Sequence, residues 1–332
     1  MTSIKRQPFK ASLIDWLAEV WLIFWSLVKI MVPVLLVVRL VEIAGWIDDL
    51  GLLIQPLMVL VGLPGEMGLV WMATMVGNIY TGMAVFYQLG LGEQVTVAQV
   101  SVIGSMMLIA HSLPVEVAIA RATGVSLWFT LLLRIGGALL LGLVLNGIYN
   151  YFSLLQTPAP LLWQPEIADS SWAGWLLTQG QTLLAALLII AGLTLLIRIL
   201  RLLGIERLIH LVLEPFLRAL GIGVKASNIM LVGLTLGLSF GGGLLIREAR
   251  SGSIGGKDIF MTMAFLGLCH SLIEDTLLIL LLGADLTTIL WGRLAFSLLV
   301  IILFAHLFKQ IPDKRLKWFY RSPSGAPANK AD

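Results

Sequence analysis

The chain has 332 residues, of which 58% are hydrophobic and only 12% are charged. A soluble domain carries about 25% charged residues, so this composition excludes an ordinary soluble fold and indicates a surface covered by lipid. The formal net charge of +3 does not indicate nucleic-acid binding, because the basic residues are not clustered with aromatic residues, and the single Cys269 excludes a disulfide framework.

The first half of the chain, residues 16–150, contains three apolar stretches long enough to cross a bilayer, which needs about 20 residues per helix. After a basic N-terminal tail, residues 1–15, the predicted spans are Trp16–Trp46, Thr96–Thr123 and Ser126–Tyr149. Between the first two lie a short interfacial segment and a hydrophobic stretch, Met67–Leu89, that glycines interrupt. Its flanks lack Lys and Arg, so we interpret it as a re-entrant hairpin. Its length of about 23 residues leaves a crossing helix as the alternative.

The second half, residues 174–308, repeats this order after a linker, residues 151–173, that contains prolines and acidic residues. The predicted spans are Trp175–Leu202, Lys257–Leu282 and Leu286–Leu307, with a second hairpin at Ile229–Ile246. A C-terminal tail with a basic start, residues 309–332, follows. The chain is therefore predicted to be an all-α integral membrane protein with about six transmembrane helices, two re-entrant helical hairpins and short interfacial helices.

An internal repeat relates the two halves. His111-Ser112-Leu113 recurs as His270-Ser271-Leu272, at a distance of 159 residues. The same offset aligns other residues with special backbone or charge roles, namely Arg39 with Arg198, Pro56 with Pro215, Gly82 with Gly241, Gly124 with Gly283, and Arg134 with Arg293. A chance alignment would mostly match leucines, so we interpret the halves as homologous.

The distribution of charge predicts that the two repeats are inverted. Lys and Arg are enriched at the cytoplasmic ends of membrane helices. The stretch Trp46–Gln99 contains neither, whereas the equivalent stretch of the second half contains Arg207, Arg218, Lys225, Arg247, Arg250 and Lys257. One half therefore shows this surface to the outside and the other shows it to the cytoplasm. We expect a multi-pass protein of the bacterial inner membrane, with both tails cytoplasmic and the linker external.

Glycine-rich breaks interrupt both predicted hairpins. Irregular backbone at membrane depth is tolerated only where it is buried in protein or lines a wet cavity. The residues at the breaks are therefore predicted to contact a solute: Asn78, Thr81 and Gly82 in the first hairpin, and Ser239 and Gly241 in the second. The alternative is that the glycines only allow close packing of helices.

The repeated His-Ser motif is the second candidate site. At about 1.5 Å per residue, His111 lies about 20 Å from the turn at Gly124, near the middle of the membrane. Ionisable residues at that depth mark a pathway or a binding site by default. The predicted solute contacts are His111, Ser112 and Glu116, with His270, Ser271, Glu274 and Asp275 as their counterparts. A hydrogen-bonded cluster that only joins the halves is the alternative.

Backbone and charge patterns around this motif add three expectations. Pro114 removes one helical hydrogen bond, and because Ile273 occupies the equivalent position, any opening of the helices is expected to be asymmetric. Each acid and arginine lie at similar distances from the intervening turn, which predicts the structural ion pairs Glu116–Arg134 and Asp275–Arg293. Neutralisation of an anionic solute is the alternative role. No metal site is predicted, because Cys269 and His270 alone are too few ligands.

The duplicated His-Ser-Leu with its following acid, the glycine-broken hairpins and the Gly124–Arg134 spacing resemble the nucleoside-recognition, or Gate, domain family in two tandem copies. The resemblance covers about Ile30–Asn150 and Leu184–Phe308. Relatives include the concentrative nucleoside transporters, the spore-maturation membrane proteins and the permease part of ferrous-iron transporters. The resemblance implies inverted repeats, re-entrant hairpins and a site at the middle of the membrane.

The expected function is that of a secondary transporter or permease for a small polar solute, with access alternating between the two repeats. A nucleoside, an organic anion and a divalent metal remain open as substrates. The expected partners are the lipid bilayer and the solute, with no nucleic acid; a homo-oligomer is left open. No cofactor is expected, and the coupling ion, a proton or sodium, is left open. No catalytic motif is present, so an enzyme is not expected. A non-transporting scaffold or assembly factor is the alternative.

Overall fold

The computed structural model describes residues 9–91, 95–161, 171–219, 222–310 and 319–321, and within these ranges the side chains of some helical residues are not described. The predicted all-α membrane fold is confirmed, because the protein is 80% helical and the described residues form no β-strand. Most of the two predicted tails and part of the predicted linker lie outside the described residues. The first helix already begins at Phe9, inside the predicted N-terminal tail.

The described residues of the first half form eight α-helices and one π-helical turn. They are α1 (Phe9–Ile43), α2 (Ile47–Leu60), α3 (Met67–Val76), α4 (Ile79–Gln88), α5 (Val97–Ile109), α6 (Leu113–Ala122), α7 (Leu127–Leu131), π1 (Leu132–Gly136) and α8 (Gly137–Phe152).

The second half repeats this order almost element by element. Its elements are α9 (Trp172–Leu202), α10 (Ile205–Ala219), α11 (Val224–Leu236), α12 (Leu238–Ser251), α13 (Gly256–Leu268), α14 (Glu274–Leu280), π2 (Thr287–Gly292) and α15 (Arg293–Gln310). Both α5 and α13 have 13 residues, and their ends correspond at the offset of the sequence repeat.

Five helical stretches among the described residues are long and apolar enough to cross a membrane: Leu13–Ile43, Val97–Ala122, Leu127–Phe152, Trp172–Leu200 and Thr287–Leu307. They match five of the six predicted spans. The sixth prediction, Lys257–Leu282, corresponds to α13 and α14, which a gap separates. Within an 18-residue apolar window of Val97–Ala122, 72% of the residues are buried inside the protein, whereas the corresponding share for Trp172–Leu200 is only 11%. The α5–α6 pair therefore lies at the centre of the fold, and α9 lies at its lipid-facing periphery.

The glycine-broken segments form helical hairpins. Helices α3 and α4 pack against each other, and α11 packs against α12 in the same way. Each arm of the first hairpin has 10 residues and is about 15 Å long, half of the roughly 30 Å needed to cross the hydrocarbon core. Side-by-side packing of such short arms favours the re-entrant interpretation over a crossing helix.

The segment after α8 ties together two ends of the fold. Thr96, immediately before α5, forms an isolated antiparallel bridge with Pro158. Two residues further on, the carbonyl of Pro160 lies against Gly283, just beyond the end of α14. The beginning of α5 and the end of α14 therefore lie on the same side of the molecule.

The segment after α15 makes the corresponding contacts on the other side. Tyr320 bridges Val125, which follows α6, and its ring lies against Gly256, the first residue of α13. The end of α6 therefore lies beside the beginning of α13. The pairs α5–α6 and α13–α14 consequently run in opposite directions through the protein. The orientation of the two halves relative to the two sides of a membrane stays a prediction.

Candidate functional site

Two helix breaks meet at the centre of the molecule. Residues 110–112 separate α5 from α6, and residues 269–273 separate α13 from α14. Ser112 and Ser271, which are equivalent in the repeat, have φ angles of 47° and 45°. This left-handed conformation is uncommon for residues other than glycine, and such backbone outliers cluster at functional sites.

The breaks correct two predictions. Thr96–Thr123 and Lys257–Leu282 were each expected to be one continuous helix, with opening only at Pro114. Both are interrupted, and the second half breaks although it has Ile273 in place of the proline. The expected asymmetry is therefore wrong, because the break does not depend on proline.

The hairpins hold the breaks open by supplying backbone hydrogen-bond acceptors. The amide of Ser112 donates to the carbonyl of Thr74 at 3.1 Å, and the amide of Ser271 donates to the carbonyl of Gly233 at 3.4 Å. Thr74 and Gly233 are equivalent in the repeat, and both lie in the last turn of a hairpin arm. The carbonyl of Gly233 also accepts a hydrogen bond from the amide of Gly237 in its own hairpin. Each hairpin thus satisfies amides that the break has freed.

Two buried arginines satisfy the carbonyls on the other side of the breaks. Arg134 Nε donates to the carbonyl of Ile109 at 2.8 Å, at the end of α5. Arg293 Nε donates to the carbonyl of Leu268 at 3.1 Å, at the end of α13, and its Nη2 donates to the carbonyl of His270 at 2.9 Å. Both arginines are 0% exposed. Arg134 lies within π1 and Arg293 directly follows π2; such wide turns are rare and often occur at functional sites.

The two carboxylates lie in the first turns of α6 and α14, where the helix dipole favours negative charge. Glu116 Oε2 accepts a hydrogen bond from Arg134 Nη1 in a buried ion pair. The second predicted pair, Asp275 with Arg293, is not formed. Asp275 is one methylene shorter than Glu116, and its Oδ2 instead lies 3.7 Å from His111 Nε2 with no hydrogen-bond partner among the described residues.

The two histidines meet between the halves. His111 Nε2 lies 3.0 Å from His270 Nε2. Glu116 Oε1 lies 3.2 Å from His111 Nε2 and 3.3 Å from His270 Nε2. All three side chains are buried, as is that of Asp275. We call His111, His270, Glu116 and Asp275 the central cluster.

Contacts within the central cluster are reciprocal. His111 approaches Asp275, and His270 approaches Glu116, which is the equivalent of Asp275 in the first half. The histidines, which are themselves equivalent, contact each other. Such self-complementary contacts are the property of a twofold relation. A local pseudo-twofold axis therefore passes between the two imidazole rings.

The hairpin residues predicted to bind solute have local partners. Asn78 caps α4, since its Oδ1 accepts hydrogen bonds from Thr81 N at 2.9 Å and from Thr81 Oγ1 at 3.1 Å. Gly82 packs against the side chain of Thr74, and Gly241 packs against the backbone of Gly233. These contacts give both glycines the packing role that was the alternative.

The remaining predicted site residues lie nearer the breaks. The side chain of Ser239 lies outside the described residues. Ser271 contacts Gly237 at the tip of the second hairpin, and Glu274 lies beside Asp275 in the first turn of α14. Contact of these residues with a solute stays a prediction.

One feature of the surface was missed by the sequence interpretation. A cleft of about 180 Å³ lies at the beginning of α5. Its polar lining residues are Thr96, Gln99, Asn146, Tyr149, Asn150 and Gln156. Asn146 and Asn150 share one face of α8, so polar residues spaced by four on an apolar helix were the signal that could have found it.

The chain is similar to the uncharacterized membrane protein YvoD of Bacillus subtilis (strain 168). The two are 30% identical over 295 residues, which cover 86% of this chain and 91% of that protein. The chain belongs to the same family. That relative is a membrane protein, and this relationship together with the five long apolar helical stretches among the described residues supports a multi-pass membrane protein, as the sequence predicts.

No family model matches the chain. No solved structure matches it either. The resemblance to the nucleoside-recognition family therefore stays a prediction.

Proposed function

We propose that the protein is a secondary transporter or permease for a small polar solute, and that access to the central cluster alternates between the two sides of the inner membrane. One observation carries the proposal. Equivalent residues from two oppositely directed broken helices form a buried polar centre where the two halves meet.

The energetics of a membrane support this function. Ionisable side chains inside a bilayer are costly, and they mark solute pathways or proton relays by default. Here two histidines, two carboxylates and two arginines are buried together. In many transporters, interrupted helices direct their free backbone ends at the solute near the middle of the membrane. The ends of α5 and α13 and the beginnings of α6 and α14 likewise meet between the two halves.

The family resemblance and the predicted location belong to the same proposal. A Gate-type protein with two inverted copies would place its solute between the copies, with both tails cytoplasmic. The polar cleft at the beginning of α5 lies on the predicted outer side and would form part of the route between solvent and the central cluster.

Substituted-cysteine accessibility tests alternating access without knowledge of the solute. The native thiol is first removed by Cys269→Ser, and Ser112→Cys is introduced at the first break. We expect a membrane-impermeant maleimide to label this cysteine from either side of vesicles. Ser297→Cys, at a fully buried serine of α15, is the matched control and should stay unlabelled. Protection of Ser112→Cys from both sides would contradict alternating access and favour a scaffold.

The solute class is tested by uptake. A thermal-shift screen of the purified protein against nucleosides, organic anions and divalent metal salts selects compounds for uptake into proteoliposomes. We expect a selected compound to accumulate with the native protein and to fail to accumulate with His111→Gln or His270→Gln. Equal uptake by native protein and both variants would place the solute site away from the central cluster.

A further inference from the structure

We propose that the central cluster binds a divalent transition-metal ion. The ligands are His111 Nε2, His270 Nε2, Glu116 Oε1 and Asp275 Oδ2. The proposal concerns binding alone, and it does not depend on whether the protein transports a solute.

The hydrogen bonds of the two rings determine which nitrogen faces the centre with a lone pair. His111 Nδ1 lies 3.0 Å from the carbonyl of Met107, and His270 Nδ1 lies 2.7 Å from the carbonyl of Leu266. A carbonyl oxygen only accepts hydrogen bonds, so each Nδ1 carries the proton. Each neutral ring therefore directs an Nε2 lone pair at the centre. Histidines that bind metals are held in this way, with the other ring nitrogen donating to a backbone carbonyl or a carboxylate.

The facing acceptors need a cation between them. The two Nε2 atoms are 3.0 Å apart, and Glu116 Oε1 lies within 3.3 Å of both. Three atoms with only lone pairs to offer would repel each other at these distances. A positive ion placed between them converts the repulsion into three favourable contacts.

The distances suit a metal ion in particular. Zinc binds nitrogen and oxygen ligands at about 2.0–2.2 Å in a tetrahedron, which places neighbouring ligand atoms about 3.3–3.6 Å apart. The three edges of the present triangle are 3.0, 3.2 and 3.3 Å. One face of a tetrahedral site is therefore nearly formed.

Asp275 is placed to provide the fourth ligand. One ligand atom each from His111, His270 and Asp275 lie within 4.8 Å of one another. Asp275 Oδ2 is buried and has no hydrogen-bond partner among the described residues. A buried carboxylate oxygen without a partner costs free energy unless a cation or a hydrogen-bond donor contacts it. A small rotation toward the centre would close the site.

The surrounding charges are compatible with a divalent ion. The carboxylates of Glu116 and Asp275 supply two negative charges beside the metal, and that of Glu116 is shared with Arg134, which contacts its other oxygen. Arg134 and Arg293 are engaged by carbonyls at the ends of α5 and α13, where the helix dipole is negative. Two imidazoles with two carboxylates favour zinc, iron or cobalt over magnesium and calcium, which prefer all-oxygen sites.

Direct measurement of bound metal tests the proposal. The full chain is purified in detergent, stripped with EDTA, loaded with zinc chloride and desalted, and the metal is counted by mass spectrometry. We expect one zinc per chain, and we expect cobalt chloride to give the visible absorption of a tetrahedral ion. His111→Gln and His270→Gln should weaken zinc binding by more than about 100-fold, beyond the loss of an outer-shell partner. His306→Gln, at an exposed histidine of α15, should bind zinc as the native protein does.

Asp275→Asn keeps the experiment decisive if the histidine variants fail to fold. This change removes one ligand without breaking an ion pair to arginine, so the thermal stability of the stripped protein should change little. We expect its zinc affinity to fall at least about 10-fold. If the native protein binds neither zinc nor cobalt, the cation between the histidines is a proton and the proposal is wrong. Native affinity in Asp275→Asn and in both histidine variants would overturn it equally.

Discussion

In the first half of the molecule Glu116 reaches Arg134, whereas in the second half the equivalent Asp275 does not reach Arg293. The backbone around the two sites is otherwise alike, with a left-handed serine and an arginine bonded to the end of the preceding helix in each. The difference of one methylene group therefore decides whether the carboxylate pairs with the arginine or faces the centre of the cluster. The longer side chain forms a structural pair, and the shorter one leaves an oxygen free at the centre.

This comparison separates what the two halves share from what each contributes. The shared part is the break itself, which needs the hairpin carbonyl, the serine and the arginine. The distinct parts are the Glu116–Arg134 pair, which stabilises the first half, and the free Asp275, which leaves the centre with an unused ligand. A duplicated fold can thus keep one architecture while its two copies divide the structural and binding roles.

The largest expected effect is an all-or-none difference in labelling between equivalent ends of the two halves. Gln156, beside the beginning of α5, and Ser253, beside the beginning of α13, are both exposed. In a Cys269→Ser background, Gln156→Cys should react with an impermeant maleimide added to intact cells. Ser253→Cys should react only after the membrane is opened. Labelling of both from the same side would contradict the inversion of the halves.

Loss of the first acid should be far more damaging than loss of the second. Glu116→Gln leaves the Arg134 charge buried and unpaired, and we expect a loss of about 3–5 kcal/mol in stability. Asp275→Asn breaks no such pair and should cost much less. Thermal unfolding in detergent measures both.

A double change checks that the cost lies in the unpaired charge. Glu116→Gln combined with Arg134→Met should recover much of the stability, because neither charge then remains buried alone. Additive losses in the double variant would show that the two residues are not energetic partners.

Exchange of the two acids should reverse the difference between the halves. Glu116→Asp shortens the side chain and should cost about 1.5–3 kcal/mol, the contribution of a hydrogen bond to a charged group. Asp275→Glu should stabilise the protein, because it gives the unpartnered Nη1 of Arg293 an acceptor. The same change should weaken the zinc binding proposed above. Equal stability changes in the same direction would argue against side-chain reach as the cause.

The smallest expected effects compare glycines of the hairpins. A Cβ at Gly241 would meet the backbone of Gly233, which cannot move aside, whereas a Cβ at Gly82 would meet the side chain of Thr74. We expect Gly241→Ala to cost about 1–3 kcal/mol through overpacking, and Gly82→Ala to cost less. Gly243→Ala, on the same helix with nothing within 4 Å, should stabilise by about 0.5–1 kcal/mol. A loss at Gly243 similar to that at Gly241 would show that packing between the arms is not the reason.

Much of the fold could be predicted from the chain alone. Low charge and long apolar stretches indicate membrane helices, because a bilayer forces each segment to satisfy its own backbone hydrogen bonds. The breaks at Gly77 and Gly237 could also be predicted, because glycine interrupts an apolar helix. The break after α13 was not visible, because Cys269, His270 and Ser271 carry no strong helix-breaking signal. It depends on carbonyls of the second hairpin, which accept hydrogen bonds from the amides of Ser271 and Leu272.

The central cluster shows the boundary between local and tertiary information most clearly. The sequence by itself determined which residues are polar within the membrane and that they recur, because these properties belong to each residue and its neighbours. Only the tertiary structure decided that His111 lies 3.0 Å from His270, 159 residues away, and that Asp275 turns toward a histidine instead of Arg293. The physical reason is that hydrogen bonds and metal coordination act over a few ångströms, and distances on that scale depend on the packing of both halves together.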